Sequence, residues 1–197
     1  MYTVKTFDNS GLCDCAVNLN KTVFKDFIPD VVIGIRSGGF VIAEIMAKEA
    51  AHKPKLLAIS RQRASTQTKN KIKGLKNILR VLPYAITDKL RIIEHKRLNA
   101  TPATEVKEFS PNIDELAALC KTLKTLENGK ILIVDDAVDS GATMKAVLEV
   151  VKAEACSSCT IKTAAVTVTT NQPLINPDYY LYHHVLCRFP WSFDFKG

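Results

Sequence analysis

ILIVDDAVDSGAT, Ile131 to Thr143, joins a short apolar strand to a polar turn that opens a helix. The apolar residues Ile131 to Val134 suit a buried central strand, whose end delivers Asp135 and Asp136 to the open edge of a sheet. Carboxylates there can accept hydrogen bonds from the vicinal hydroxyls of a sugar. Asp139, Ser140, Gly141, Ala142 and Thr143 follow at the start of a helix, where unpaired N–H groups and the positive end of the helix dipole favour a phosphate. Gly141 permits the tight turn, and the Ser140 and Thr143 hydroxyls add donors. Taken singly, these parts read as a strand, an acidic turn and an N-capped helix, since Asp, Ser and Thr are ordinary caps. Their occurrence together and in this order points instead to a sugar-phosphate site.

Working outward, the same strand, turn and helix unit occurs earlier. Val31 to Ile35 (VVIGI) is a β-branched run broken by Ser37, Gly38 and Gly39, and helical spacing follows from Phe40 to Ala50. Within Gly34 to Phe40 (GIRSGGF) the backbone can curl so that N–H groups face an anion, and Arg36 can add charge-assisted bonds. Lys55 to Ser60 reads as a further strand. Ile113 to Leu126 is an amphipathic helix stopped by Asn128 and Gly129. A helix is expected from Thr143 to Ala153, and strands from Thr160 to Thr169 and Tyr179 to Cys187. Unbroken apolar strands joined by helices predict an α/β fold with a doubly wound, mainly parallel sheet. Ligands in such sheets sit beyond the carboxyl ends of the strands, here the turns after Ile35 and Val134.

A chain of 197 residues, 47% hydrophobic and 24% charged, suits one globular domain, residues 1–197, rather than two, and excludes disordered and fibrous classes. Met1 to Ser10 lacks the pattern of a secretory signal, and no apolar run is long enough to span a membrane, so a cytoplasmic location and no membrane partner are expected. The six cysteines, including Cys13 and Cys15 in a CxC and Cys156 and Cys159 in a CxxC, are then read as free thiols. The net charge of +7 is concentrated: residues 61–97 hold 11 Lys or Arg against Asp88 and Glu94. Lys71 to Leu82 and Thr87 to Leu98 have helical spacing around Pro83, which predicts a basic helical hairpin after a loop from Arg61 to Asn70. A solvated basic face is the simpler reading of it. A nucleic-acid surface is less well supported, because Tyr84 is the one aromatic among the charges. His183 and His184 are read as packing or surface residues.

ILIVDDAVDSGAT resembles the phosphoribosyl diphosphate signature of type I phosphoribosyltransferases, with Ser140 where the family commonly has Thr. GIRSGGF resembles the family's pyrophosphate loop, above all that of bacterial xanthine-guanine enzymes, and this likeness implies a cis Arg36–Ser37 peptide. Phe189-Pro190-Trp191 is similar to the Pro-Trp of purine enzymes in the family, where the aromatic ring stacks on the base. The resemblance implies the type I phosphoribosyltransferase fold, with residues 61–110 as an inserted loop and basic helical hairpin and residues 170–197 contributing a C-terminal hood. It implies transfer of ribose 5-phosphate from phosphoribosyl diphosphate to a nitrogen nucleophile, in nucleotide salvage. Asp135 and Asp136 would hold the ribose hydroxyls; Ala137, Val138, Ser140, Gly141, Ala142 and Thr143 the 5-phosphate; and Arg36, Ser37, Gly38 and Gly39 the pyrophosphate. Asp139 would act on the acceptor as base and Trp191 would stack on it. Mg2+ would be held mainly by substrate, with Asp135 and Asp136 as its protein contacts. In a functional reading of the basic segment, some of Arg61, Arg63 and Lys69 would offset charge on the leaving group. The expected partners are phosphoribosyl diphosphate, a nucleobase-like acceptor and a second copy in a homodimer. Purine members place a Lys just after the fourth strand to read the base, whereas Val166 to Asn171 (VTVTTN) holds none. Either a purine is read by backbone groups, Thr169, Thr170 or Asn171, or the acceptor is another nucleobase or an amine altogether, so the identity of the base stays open. The alternative is a phosphoribosyl diphosphate or nucleotide sensor that binds nucleic acid or protein through the basic insertion.

Overall fold

A computed structural model describes residues 2–60, 79–99 and 109–197. The expected loop from Arg61 to Asn70, with Arg61, Arg63 and Lys69, and most of the first hairpin helix lie outside those residues. The order of elements is β1 (Thr3–Thr6), α1 (Asn9–Val23), β2 (Val31–Ile35), α2 (Gly38–Glu49), β3 (Lys55–Ile59), α3 (Tyr84–Leu98), α4 (Ile113–Leu123), β4 (Lys130–Val138), α5 (Ala142–Glu154), β5 (Thr160–Val168), β6 (Tyr179–His183) and β7 (Val185–Arg188).

Among the described residues, five strands form one parallel sheet in the order β3-β2-β4-β5-β6. Side-chain alternation divides the core between its two faces. Val32, Leu132, Val134, Ala164 and Val166 pack against Leu12, Leu19, Ile42 and Met46 of α1 and α2. Val31, Ile33, Ile131, Ile133 and Ala165 pack against Leu119, Leu123, Val147 and Val151 of α4 and α5. Burial on both faces explains why these strands read as continuous apolar runs. The helix starts are set locally: Asp8 accepts from the Gly11 N–H ahead of α1, and Asn112 accepts from the Asp114 and Glu115 N–H groups ahead of α4.

Three expectations are corrected. The stretch after Val134 is not a turn: β4 continues through Asp135 and Asp136 to Val138, because it pairs with β5 as far as Val138 opposite Val168. Tyr179 to Cys187 is not one strand. His184 has φ 62°, and the backbone breaks there, so β6 closes the main sheet while β7 turns away to pair with β1 in a separate two-stranded sheet. Finally, α3 is more than a solvated face. Thr87 and His95 are buried, and Arg91 donates to Asp194 and to the Cys187 carbonyl, although Lys89, Lys96 and Arg97 are exposed.

Candidate active site

The chain leaves β2 for β3 on one side of the sheet and returns to β4 on the other, so β2 and β4 flank the point where strand order reverses. Crevices open at such points. The turn after β2 rests directly on the carboxyl-terminal part of β4. A Cβ on Gly38 would lie 2.1 Å from Asp136 Oδ2, and one on Gly39 would lie 2.6 Å from the Val134 carbonyl oxygen, so only glycine lets the first turn of α2 rest on the β4 carboxylates. The Arg36–Ser37 peptide is cis, as the sequence resemblance implies.

Asp135 is almost fully buried and Asp136 half-buried. The Asp136 N–H donates to Asp135 Oδ1 at 2.9 Å, and the Trp191 indole N–H donates to Asp136 Oδ2 at 2.9 Å. Burial, then the charge of Asp136, pushes the Asp135 carboxyl well above the ordinary carboxylate range, and burial also raises that of Asp136. Two adjacent acids with this bias suit ligands that neutralise or hydrogen-bond them, whether hydroxyl groups or a cation.

Beyond Val138 the chain opens into a cavity of about 150 Å³ bounded by Asp135 and residues 137–144. Gly141 takes φ 77°, and its Cα faces the backbone of Leu174 and Ile175, where a Cβ would come within 2.9 Å of the Ile175 nitrogen. The Leu174 N–H closes on the Ser140 carbonyl at 2.8 Å, and Ser140 Oγ accepts from the Ala142 N–H at 3.3 Å. With Thr143 exposed in the first turn of α5, this loop lines one small space at the start of a helix, where N–H groups and hydroxyls favour an anion. Asp139 is exposed at its rim, and the Thr169 hydroxyl donates to its Oδ1 at 2.5 Å.

The model of the phosphoribosyl transferase domain matches residues 11–196. The chain belongs to the phosphoribosyl transferase domain family. No curated protein matches the sequence. Among solved structures, this phosphoribosyltransferase resembles a purine phosphoribosyltransferase of Pyrococcus horikoshii at 20% identity, with 98% of this chain and 95% of that one covered and a TM-score of 0.58. A xanthine-guanine-hypoxanthine phosphoribosyltransferase of Helicobacter pylori is similar at 15% identity, 94% and 91% coverage and a TM-score of 0.57. A hypothetical protein of Neisseria gonorrhoeae with bound ppGpp is similar at 13% identity, 98% and 90% coverage and a TM-score of 0.59. At these identities the likeness is one of fold: the mainly parallel type I phosphoribosyltransferase sheet.

The fold of this phosphoribosyltransferase brings Gly38 and Gly39, which directly follow Arg36 and Ser37, against Asp136 and Asp135, and one small cavity joins Asp135 to the loop 137–143. Three features escape sequence reasoning. Glu115, from the first turn of α4, accepts Arg36 Nε at 2.6 Å and the Ser60 hydroxyl at 2.6 Å, so Arg36 is anchored from behind. In sequence Glu115 reads only as an acid near a helix N-terminus. Thr169, considered as a base reader, has its hydroxyl engaged by Asp139 instead. Trp191 has one ring face against Phe189 at 4.8 Å and its polar edge on Asp136, a placement that the Pro-Trp pattern alone does not specify. His183 is exposed, while His184 stacks on Tyr2 at 5.4 Å.

Proposed function

We propose that this phosphoribosyltransferase moves ribose 5-phosphate from phosphoribosyl diphosphate to a ring nitrogen of a purine-like base, with release of pyrophosphate. The observation that carries the reading is the position of Trp191: its edge is bonded to Asp136, so a flat aromatic surface stands beside the carboxylates assigned to the ribose. A base stacked there would have its ring nitrogen next to the sugar carbon that reacts.

In this reading Asp135 and Asp136 accept from the ribose hydroxyls. Ala137, Val138, Ser140, Gly141, Ala142 and Thr143 enclose the 5-phosphate, and Arg36, Ser37, Gly38 and Gly39 receive the pyrophosphate. Glu115 occupies the inner edge of the Arg36 guanidinium and orients its outer nitrogens toward that anion. The C1–O bond to pyrophosphate breaks as the C1–N bond forms, and Asp139 takes the proton of the attacking ring N–H. The donor set at Asp135 and Asp136 fits Mg2+: it is all oxygen, and a cation would relieve the mutual repulsion of two adjacent acids. When bound with the substrate, Mg2+ neutralises charge on the diphosphate. Residues 1–197 act as one domain, with 61–110 inserted and 170–197 contributing to the hood. The homodimer is tested by light scattering of the eluted protein.

Incubation with Mg2+, phosphoribosyl diphosphate and a panel of purines and pyrimidines is expected to release pyrophosphate with purines and to form the matching nucleotide. The Asp139→Asn variant is expected to lose about 10²-fold or more in kcat at unchanged melting temperature. Full turnover by that variant would remove the role assigned to Asp139. Salt-sensitive nucleic-acid binding without turnover on any base would favour the sensor reading.

A further inference from the structure

Asp139 is exposed, yet it is not left to choose its own rotamer. Thr169 stands one residue beyond β5 and is 2% exposed. Its N–H donates to the Val138 carbonyl at 3.0 Å, and its hydroxyl reaches Asp139 Oδ1 at 2.5 Å. The hydroxyl also lies 3.4 Å from the Val138 carbonyl, but the shorter contact to the charged acceptor is the stronger one. A carboxylate carries no proton, so the hydroxyl is the donor.

Thr169 is held in turn from the inserted segment. His95 of α3 is 7% exposed, and its Nε2 lies 3.1 Å from the Thr169 carbonyl oxygen. Asn99 Nδ2 donates to the His95 carbonyl at 2.9 Å and faces His95 Nδ1 at 3.1 Å. The same amide lies 3.4 Å from Nε2, over the ring rather than on the Nδ1 lone pair, and the tautomer is set instead by Thr169: its carbonyl can only accept, so the ring proton of this hydrogen bond sits on Nε2. Tyr2 closes the other side of the ring, with centroids 4.7 Å apart. A continuous path of hydrogen bonds thus runs from α3 through the end of β5 to the end of β4.

We propose that Thr169 and His95 are positioning residues for Asp139, and that α3 thereby belongs to the acceptor-activating machinery. The proposal rests on the reading of Asp139 as the group that faces the acceptor. A general base works only when its oxygen lies on the line of the leaving proton, and displacement of a reacting group by about 1 Å can cost 10²-fold in rate. Donation by Thr169 to one oxygen leaves the other directed at the acceptor. His95 fixes the peptide from which Thr169 donates. No part of the strand-and-turn motif supplies this support.

The test is a double-mutant cycle on kcat, with purines as acceptors and each variant's melting temperature as the control for folding. Thr169→Val is expected to lower kcat by about 10- to 100-fold with KM for phosphoribosyl diphosphate within about twofold, and Thr169→Ser to restore most of it. In the Asp139→Asn background, Thr169→Val is expected to change kcat no further. His95→Ala should show a smaller loss of the same kind, and His95→Gln, which can still donate to the Thr169 carbonyl, should recover it. This pair carries the test if Thr169→Val does not fold. An equal loss from Thr169→Val with and without Asp139 would mean a purely structural role and overturn the proposal. Loss in Asp139→Asn with full turnover in Thr169→Val and His95→Ala would overturn the relay while leaving Asp139 in place. Full turnover in Asp139→Asn would overturn both.

Discussion

Asp135 and Asp136 illustrate how single residues oppose the fold that holds them. Burial, together with the neighbouring charge, raises the Asp135 carboxyl well above its ordinary value. The folded chain therefore binds that proton more tightly than the unfolded chain does. Stability falls as pH rises from the ordinary carboxylate range through the raised value, and the deficit is complete above it. Asp135→Asn keeps an oxygen for the Asp136 N–H and removes the charge. It is expected to raise the melting temperature of the ligand-free protein at pH 7 by about 2–4 °C, the equivalent of about 1 kcal/mol, while weakening phosphoribosyl diphosphate binding. Calorimetry with and without the substrate checks both; a melting temperature lowered by the substitution would contradict the argument. At this scale the motif was legible. Asp135, Asp136, Gly141, Gly38 and Gly39 stand out in sequence because their types and order suit a sugar phosphate, and they do come together. Thr169 stands out only as a candidate base reader, and His95 and Glu115 not at all, since each reaches its partner across the fold and carries no local pattern.

Among the elements, α3 is held to the small β1–β7 sheet by a buried ionic cluster. Arg188 is 1% exposed and donates to Asp194, Asp88, Thr6 and Thr87, while Arg91 of α3 meets Asp194 from the other side. Burial disfavours ionised Asp194, but the hydrogen bonds from Arg188 and Arg91 outweigh it and hold the carboxyl below its ordinary value. A depressed acid stabilises the fold at all pH above the unfolded value of 3.8, and that stabilisation is lost as pH falls further, through the folded value. Asp194→Asn is expected to cost about 3 kcal/mol at pH 7 by leaving buried Arg188 short of a partner. It should also narrow the difference in denaturant stability between pH 7 and pH 3. An unchanged difference would mean that Asp194 does not titrate with unfolding. Helical spacing placed α3 correctly in the sequence to within a few residues. What spacing could not give is the side it presents, because Arg91 and His95 look like surface residues until the acceptors on Asp194 and Thr169 are brought to them. Likewise the break at His184 rests on one positive φ that the run Tyr179 to Cys187 does not announce.

For the molecule as a whole, the parallel sheet follows from alternating apolar strands and helices, whereas the order β3-β2-β4-β5-β6, which reverses between β2 and β4, is seen only in the structure. The small sheet was less legible, because Thr3–Thr6 is short, mostly exposed and without apolar alternation. Its pairing has a consequence in time. β1 pairs with β7, Thr3 with Val185 through Thr6 with Arg188, so an early segment has its strand partner near the other end of the chain. Contacts this distant in sequence form slowly, because a long loop must close before they repay the closure. The central strands can pair while β1 waits. Trp191, three residues past β7, is the chain's single tryptophan and therefore a built-in clock for that last step. On dilution from denaturant, far-ultraviolet ellipticity is expected to recover ahead of tryptophan fluorescence, and coincident traces would count against this order. During synthesis, too, a nascent chain would carry residues 137–143, the proposed phosphate loop, before Trp191, the proposed base surface, is made, so the proposed grip on the sugar would precede the means to use it.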